Sequence, residues 1–256
     1  MNSTHRFALR DHPEGGYRFL PGIAPYSCGV VSGAGREIVH ATLRSQVDWS
    51  TGFEVIAGHL DAEACPRSAL CGVELRSPRP FTFEGFAAFN ASYKAVLEGW
   101  GLFVDGVNPV ARTNIAPELN PPREVSLFAF SYARPCESGE PTFVVAGAGE
   151  LPEGVLAASA IVAAGDTTHG AITRKTAFVM DLMENRLHGL GGDWGQVTAI
   201  DVYTIHPFDH VLPDVILRRV GNASAHGVRW FYSRPPIVGI EFEMDVRGVR
   251  SEVWAG

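Results

Sequence analysis

Between residues 83 and 100 the side chains of Phe86, Phe89, Tyr93, Val96, Leu97 and Trp100 recur at intervals of three and four, with Gly101 directly behind them. That spacing predicts an amphipathic helix closed by a glycine stop. The wave returns at Ile172, Val179, Leu182, Met183, Leu187 and Leu190, with Asp166-Thr167-Thr168 as an N-cap and Gly191-Gly192 as the stop. Shorter runs of β-branched and aromatic residues predict strands at 26–32 and 37–44, joined by the turn Gly33-Ala34-Gly35, and at 52–60 and 108–116. Further strands are expected at 125–132 and 142–147 as a pair, then at 158–163, 198–205, 228–233 and 237–246. In the last of these Ile240, Phe242, Met244 and Val246 alternate with Glu241, Glu243 and Asp245. Residues 1–24 and 61–81 carry turn residues and read as an irregular lead-in and a long excursion, and 208–220 as a short helix broken by Pro213.

The two helical stretches align without a gap from Ala87 with Ala177 to Pro117 with Pro207, with identities at Leu97/Leu187, Gly99/Gly189, Gly101/Gly191, Val107/Val197 and Ile115/Ile205. Tyr132-Ala133-Arg134-Pro135 then echoes Tyr232-Ser233-Arg234-Pro235 at a longer offset. Paired copies bury faces that one copy would expose, and a site is often built where copies meet. The expected organisation is therefore an N-terminal degenerate unit, 1–124, and a complete C-terminal unit, 125–256. Each is an α+β layer, a mixed sheet with helices packed on one face.

Composition narrows the function classes. The 256 residues are 46% hydrophobic and 19% charged, with no apolar run near the roughly 20 residues that cross a bilayer and no secretory h-region behind Met1. A net charge of -7 with dispersed Lys and Arg gives no basic stripe for nucleic acid. Cys28, Cys65, Cys71 and Cys136 match neither a zinc knuckle nor a thioredoxin pair, so they read as reduced thiols in a cytoplasmic protein. A disulfide or metal at Cys65 and Cys71 is the minority reading.

Most cofactor chemistry has no foothold. His206 and His210 have helical ligand spacing, but Pro207 lies between them; His169, His188 and His226 form no ligand set, and no metal is expected. Gly147-Ala148-Gly149 leads into Glu150-Leu151-Pro152 rather than a helix, which argues against a nucleotide cofactor. No Gly-x-Ser-x-Gly elbow occurs and the cysteines lack catalytic companions. Arginine binds a carboxylate bidentately, which makes Arg134, Arg229 and Arg234 candidates for an acidic substrate. The competing reading of Arg134 and Arg234 is an ion pair pinning each Tyr-x-Arg-Pro loop.

Pro25-Tyr26-Ser27, the strand Thr142 to Gly147, the long helix, Val197 to Tyr203, Arg234-Pro235-Pro236 and Ile240-Glu241-Phe242-Glu243 together resemble the Rid family, also called YjgF. The match covers 125–250 well and 25–117 weakly. The resemblance implies two chorismate-mutase-like units in tandem, sites in clefts between units, and assembly as a homo-oligomer, a trimer or a dimer or hexamer. It also implies hydrolysis of an enamine or imine of a small dicarboxylate, of 2-aminomuconate type, without a cofactor. A chorismatase-like hydrolase and a non-catalytic binder of small acids are the alternatives. The family's carboxylate-binding arginine lies in a Pro-Ala-Arg motif before the penultimate strand, where Ala225-His226-Gly227 stands here. Arg229, two residues on, is the expected substitute, with Glu243 or Glu241 orienting water and His226 transferring a proton. Tyr132, Arg134, Tyr203 and Arg234 complete the expected substrate-binding set.

Overall fold

The computed structural model describes residues 8–256. Part of the lead-in therefore lies outside the described residues. From residue 10 onward it is ordered as strands β1 (Arg10–His12) and β2 (Tyr17–Leu20), and β3 (Gly29–Ser32) follows. The chain continues through β4 (Arg36–Asp48), helix α1 (Trp49–Ala62), β5 (Leu70–Arg76), α2 (Phe83–Gly99), β6 (Ala111–Pro117) and β7 (Ser126–Pro135). Next come β8 (Phe143–Gly149), α3 (His169–Leu190), β9 (Ala199–Tyr203), the short α4 (Arg218–Val220), β10 (Arg229–Phe231), β11 (Ser233–Arg234), β12 (Glu243–Gly248) and β13 (Ser251–Ala255).

These strands form two mixed sheets, ordered β1-β2-β3-β8-β12-β9-β10 and β11-β6-β5-β7-β4-β13. The same wiring appears twice: β4-β7-β5-β6 in one sheet and β8-β12-β9-β10 in the other run first, last, second, third along the chain. The sheets interleave along the sequence, because residues 10–32 extend the sheet of β8 and β12, while β13 pairs in parallel with β4. The turn at Gly33 to Gly35 and the connection after β7 each pass from one sheet to the other, so the strands expected to pair there do not.

In this wiring α1 corresponds to α3, and α2 corresponds to the π-helical and α-helical turns over Leu212–Leu217 and Arg218–Val220. The alignment of Ala87 with Ala177 thus joins helices that hold different places. The missed counterpart is 52–60, which is not a strand but the body of α1. Phe53, Ile56, Ala57 and Leu60 fall on its buried face, and the Asp48 carboxylate accepts the N–H groups of Ser50 at 2.9 Å and Thr51 at 3.3 Å. The excursion at 61–81 contains the buried strand β5, and the strand expected at 158–163 is a 3-10 turn at Ala158–Ala160.

The sheets face each other and the helices cover their outer faces. α1 and α2 pack on one sheet through Phe53, Ile56, Leu60, Tyr93 and Leu97. On the other sheet α3 packs through Val179, Met183 and Leu187 against Met244 and Val246 of β12. Between the sheets lie Tyr17, Phe19, Val30, Ile38, Ala111 and Ala146. Because β12 is central, its alternation is buried on both sides: Met244 and Val246 turn to α3, and the charged residues at 243, 245 and 247 turn inward. No helix among the described residues is long and apolar enough to cross a membrane.

Candidate functional site

At one end of the inter-sheet layer is a cleft of about 670 Å³ including its open mouth. β6 contributes Arg112 and Asn114, β12 contributes Glu243, β8 contributes Gly147, and α3 contributes Arg186. Tyr26 and Cys28, between β2 and β3, and the segment 151–156 complete the walls. Each sheet thus supplies part of the chemistry.

Arg112 and Asn114 are two apart on β6 and face the cleft together. Arg112 is buried among the rings of Tyr26, Phe86, Phe89 and Tyr93, which lie 4.8 to 5.7 Å from its guanidinium carbon. Its Nη2 donates to Asn90 Oδ1 at 2.7 Å, whereas Nη1 is buried without a partner among the described residues. Asn114 accepts the Ser77 hydroxyl at 2.9 Å, and its Nδ2 is likewise unpaired. Buried donors are normally satisfied, so two neighbouring orphans in one cleft mark the place of an acceptor. Burial draws Arg112 below the ordinary arginine range, yet a guanidinium remains a cation at any physiological pH.

Glu243 provides the opposite chemistry. Burial first, and the neighbouring Asp245 second, push its carboxyl well above the ordinary range, which favours its protonated form in the folded protein. Asp245 is raised in the same way by burial and by Asp201 and Glu74, and it accepts the Tyr203 hydroxyl at 2.9 Å. Arg186 is held differently: its Nε and Nη2 donate to the two oxygens of Glu153 at 2.7 and 3.1 Å, and its Nη1 to the Ala146 carbonyl at 2.7 Å. Burial works to raise the Glu153 carboxyl, but Arg186 outweighs it and keeps Glu153 ionised. Burial also pushes the Cys28 thiol up to about 11, leaving it protonated and a poor nucleophile.

Of the residues expected from sequence, Glu243 alone lines this cleft. Arg229 does not substitute for the family arginine there: it is bound on the edge strand β10 to Asp201, at 2.6 and 3.1 Å. Glu241 does not share the face of Glu243, because it precedes the strand and pairs with His206 at 2.8 Å. His226 ends an exposed 3-10 turn. Tyr132 is buried against His59 and Phe130 beneath α1, and Tyr203 is buried against Asp245. Arg134 and Arg234 take the ion-pair role, with Glu37 and Glu63 for one and Glu118 for the other. All four cysteines are free, and no group of three or more potential metal ligands is gathered among the described residues.

Sequence reasoning missed Arg112, Asn114, Arg186 and Tyr26, although two signals were present. Pro109-Val110-Ala111-Arg112 places an Ala-Arg pair at the start of β6, the penultimate strand of the first wiring. On α3, Lys175 and Arg186 stand eleven residues, or three turns, apart on the otherwise apolar face. A cation on a buried stripe requires a partner inside.

Residues 9–253 match the family model of the 2-aminomuconate deaminase CnbZ. A 2-amino-5-chloromuconate deaminase of Comamonas testosteroni is 39% identical over 241 residues, which cover 93% of this chain and 95% of that protein. Among solved structures, a chorismatase superposes with a TM-score of 0.51 at 13% identity, covering 94% of this chain and 78% of that one, which is a likeness of fold.

Proposed function

The chain belongs to the 2-aminomuconate deaminase family, and on that premise we propose that it hydrolyses the enamine of a 2-aminomuconate-type dicarboxylate in the inter-sheet cleft, releasing ammonia. The observation that carries the placement is the pairing of a buried guanidinium with a free donor, Arg112, and a buried carboxyl of raised pKa, Glu243, on one cleft. The carboxylate beside the amino-bearing carbon binds the free donors of Arg112 and Asn114. Glu243 then gives its proton to the enamine carbon, and the resulting iminium carbon is open to water. As carboxylate, Glu243 takes a proton from that water while its oxygen adds to the carbon. The same group next protonates the amine, the C–N bond breaks, and the hydroxyl proton returns to Glu243. Enamine and water have become keto acid and ammonia, with the enzyme restored. A carboxyl with a raised pKa suits both steps, since it donates readily and, once ionised, is a stronger base than an ordinary carboxylate.

The same reading takes the repeated wiring as two Rid-like units in tandem, with Arg112 from one and Glu243 from the other meeting across the cleft. Supporting it is the Ala111-Arg112 pair, which occupies in the first unit the motif position that is empty in the second. That position removes the motive for a non-catalytic binder.

The test is ammonia release from freshly generated 2-aminomuconate by the purified protein, with stoichiometric keto acid as the second readout. Release that is lost in Glu243→Gln supports the proposal. A wild-type protein that releases no ammonia overturns it.

A further inference from the structure

The cleft holds a second guanidinium, each of whose three nitrogens is hydrogen-bonded within the protein. Arg186 is buried, and its three donor nitrogens are engaged by the Glu153 carboxylate and the Ala146 carbonyl. Glu153 is not part of the sheet or helix framework. It belongs to the segment joining β8 to the 3-10 turn at Ala158–Ala160, and that segment forms one wall of the cleft.

Among the described residues no backbone hydrogen bond ties 152–156 to a neighbouring element; Val155 donates to Pro152 at 3.1 Å, within the segment itself, and the next bond is that of Ala157, which accepts the Ala160 N–H at 3.0 Å. Gly154 has a φ of +74°, and Val155 and Leu156 expose their apolar side chains. The polar tether of the segment is thus the Glu153 side chain, through Arg186 and a 3.6 Å contact from the Cys28 thiol. Its upstream end is fixed firmly, because Glu150 accepts Lys175 Nζ at 2.9 Å and the N–H groups of Glu241 and Phe242 at 2.7 and 3.0 Å.

This tether keeps Arg186 neutralised while the cleft is closed. Glu153 neutralises Arg186 through two hydrogen bonds, so in the closed cleft the Arg112 guanidinium is the cation with a free donor and no carboxylate bonded to it among the described residues. A monocarboxylate is matched by Arg112 alone; a dianion is not. Exchanging Glu153 for a substrate carboxylate would preserve the bidentate bonding of Arg186 and give the dianion two guanidinium partners.

We propose that Arg186 is the subsite for the second carboxylate of the substrate, and that Glu153 is a resident stand-in which this carboxylate displaces. The inference rests on the cleft being the substrate site, and it makes Glu153 a specificity-determining residue that sets the preference for dicarboxylates over monocarboxylates. On displacement, 151–157 moves off the cleft and the Glu153 carboxylate passes to solvent.

The experiment compares two unreactive six-carbon dienes, cis,cis-muconate with two carboxylates and sorbate with one, by calorimetric titration of the full chain. Glu153→Gln removes the competing charge while keeping the side chain's size. Muconate is expected to bind about tenfold more tightly to this variant than to wild type, the scale of one charged hydrogen-bonded contact, with sorbate unchanged. Glu153→Ala should act in the same direction, and the melting temperature of each variant establishes that it is folded. Equal changes for both acids, no change, or selective weakening of muconate would overturn the exchange while leaving the cleft reading intact. If neither acid binds wild type, the cleft reading falls and the subsite falls with it.

Discussion

Gly147 and Glu243 cannot both have side chains in their present places: a Cβ built on Gly147 would run into Glu243 Oε1. The next neighbour is Thr113, at 3.0 Å. Gly147 lies in β8 without a positive φ, so backbone conformation does not demand a glycine there, and its role is to leave room for the cleft carboxyl. The obstructed atom is the far end of a flexible side chain, so the fold can yield at little cost and the carboxyl is what moves. Gly147→Ala should lower kcat on 2-aminomuconate by about 100-fold, the scale of a displaced general acid–base, with the melting temperature within a few degrees of wild type. Steady-state kinetics beside a thermal melt separates the two effects. A variant with full activity would remove Glu243 from the chemistry.

The ionisation of Glu243 sets both a rate and a stability profile. Burial and Asp245 raise its folded pKa well above the value of 4.5 that it has in an open chain. The folded state consequently holds a proton that the unfolded chain has released. Its contribution to stability is fully present below pH 4.5 and is lost as pH rises through the raised folded value. Glu243→Gln has no carboxyl to ionise, so at neutral and higher pH it should be more stable than wild type, with the difference vanishing on acidification. Its kcat should fall by about 10²- to 10⁴-fold. Wild-type kcat should decline as pH rises through the same ionisation. Melting curves and rates across pH 4 to 9 check all three.

Arg112 is expected to act on binding. Lysine keeps the charge but loses the fork that fits a carboxylate, so Arg112→Lys should raise KM by about 10- to 100-fold and lower kcat less. Asn114→Ala removes one neutral donor and should cost about tenfold or less. An unchanged KM in Arg112→Lys would place the carboxylate elsewhere. Circular dichroism should accompany these measurements, because Arg112 packs within four aromatic rings.

The helices α2 and α3 were legible because each has a long apolar stripe and a clear terminator, Gly191 adopting the left-handed conformation that the stop demands. α1 reads as a strand because its Asp48 cap is itself the last residue of a thirteen-residue strand, so no turn residues separate the two elements. β5 lay hidden in a segment whose Pro66 and Arg67 suggested a loop. The pairing of strands was beyond local pattern: β3 and β4 are joined by three residues yet lie in opposite sheets. That error carried into the site. Arg229 and Glu243 belong to one sheet, but the cleft needs a residue from each, and Glu243 meets Arg112 only when 111–117 is placed across from β12. The alternation in the last strand did expose Glu243, and it gave no means of separating it from Glu241, which the strand excludes.

The wall that carries Glu243 depends on a buried ion pair that does not itself line the cleft. Lys175 and Glu150 are both fully buried, and Lys175 Nζ also donates to the Val162 carbonyl at 2.9 Å. The Glu150 carboxylate accepts the backbone N–H groups of Glu241 and Phe242, the two residues before Glu243. Removing one partner leaves an uncompensated charge inside, so Lys175→Met should destabilise the protein by about 3–5 kcal/mol. Lys175→Met with Glu150→Gln removes both charges and should recover part of that loss, since the amide retains an acceptor for one of the two N–H groups. Urea unfolding measures both. Activity should not recover in parallel, because an amide oxygen cannot fix both N–H groups as a carboxylate does and the approach to Glu243 stays loose. Full recovery of kcat in the double variant would show that the pair supports the fold without positioning the cleft.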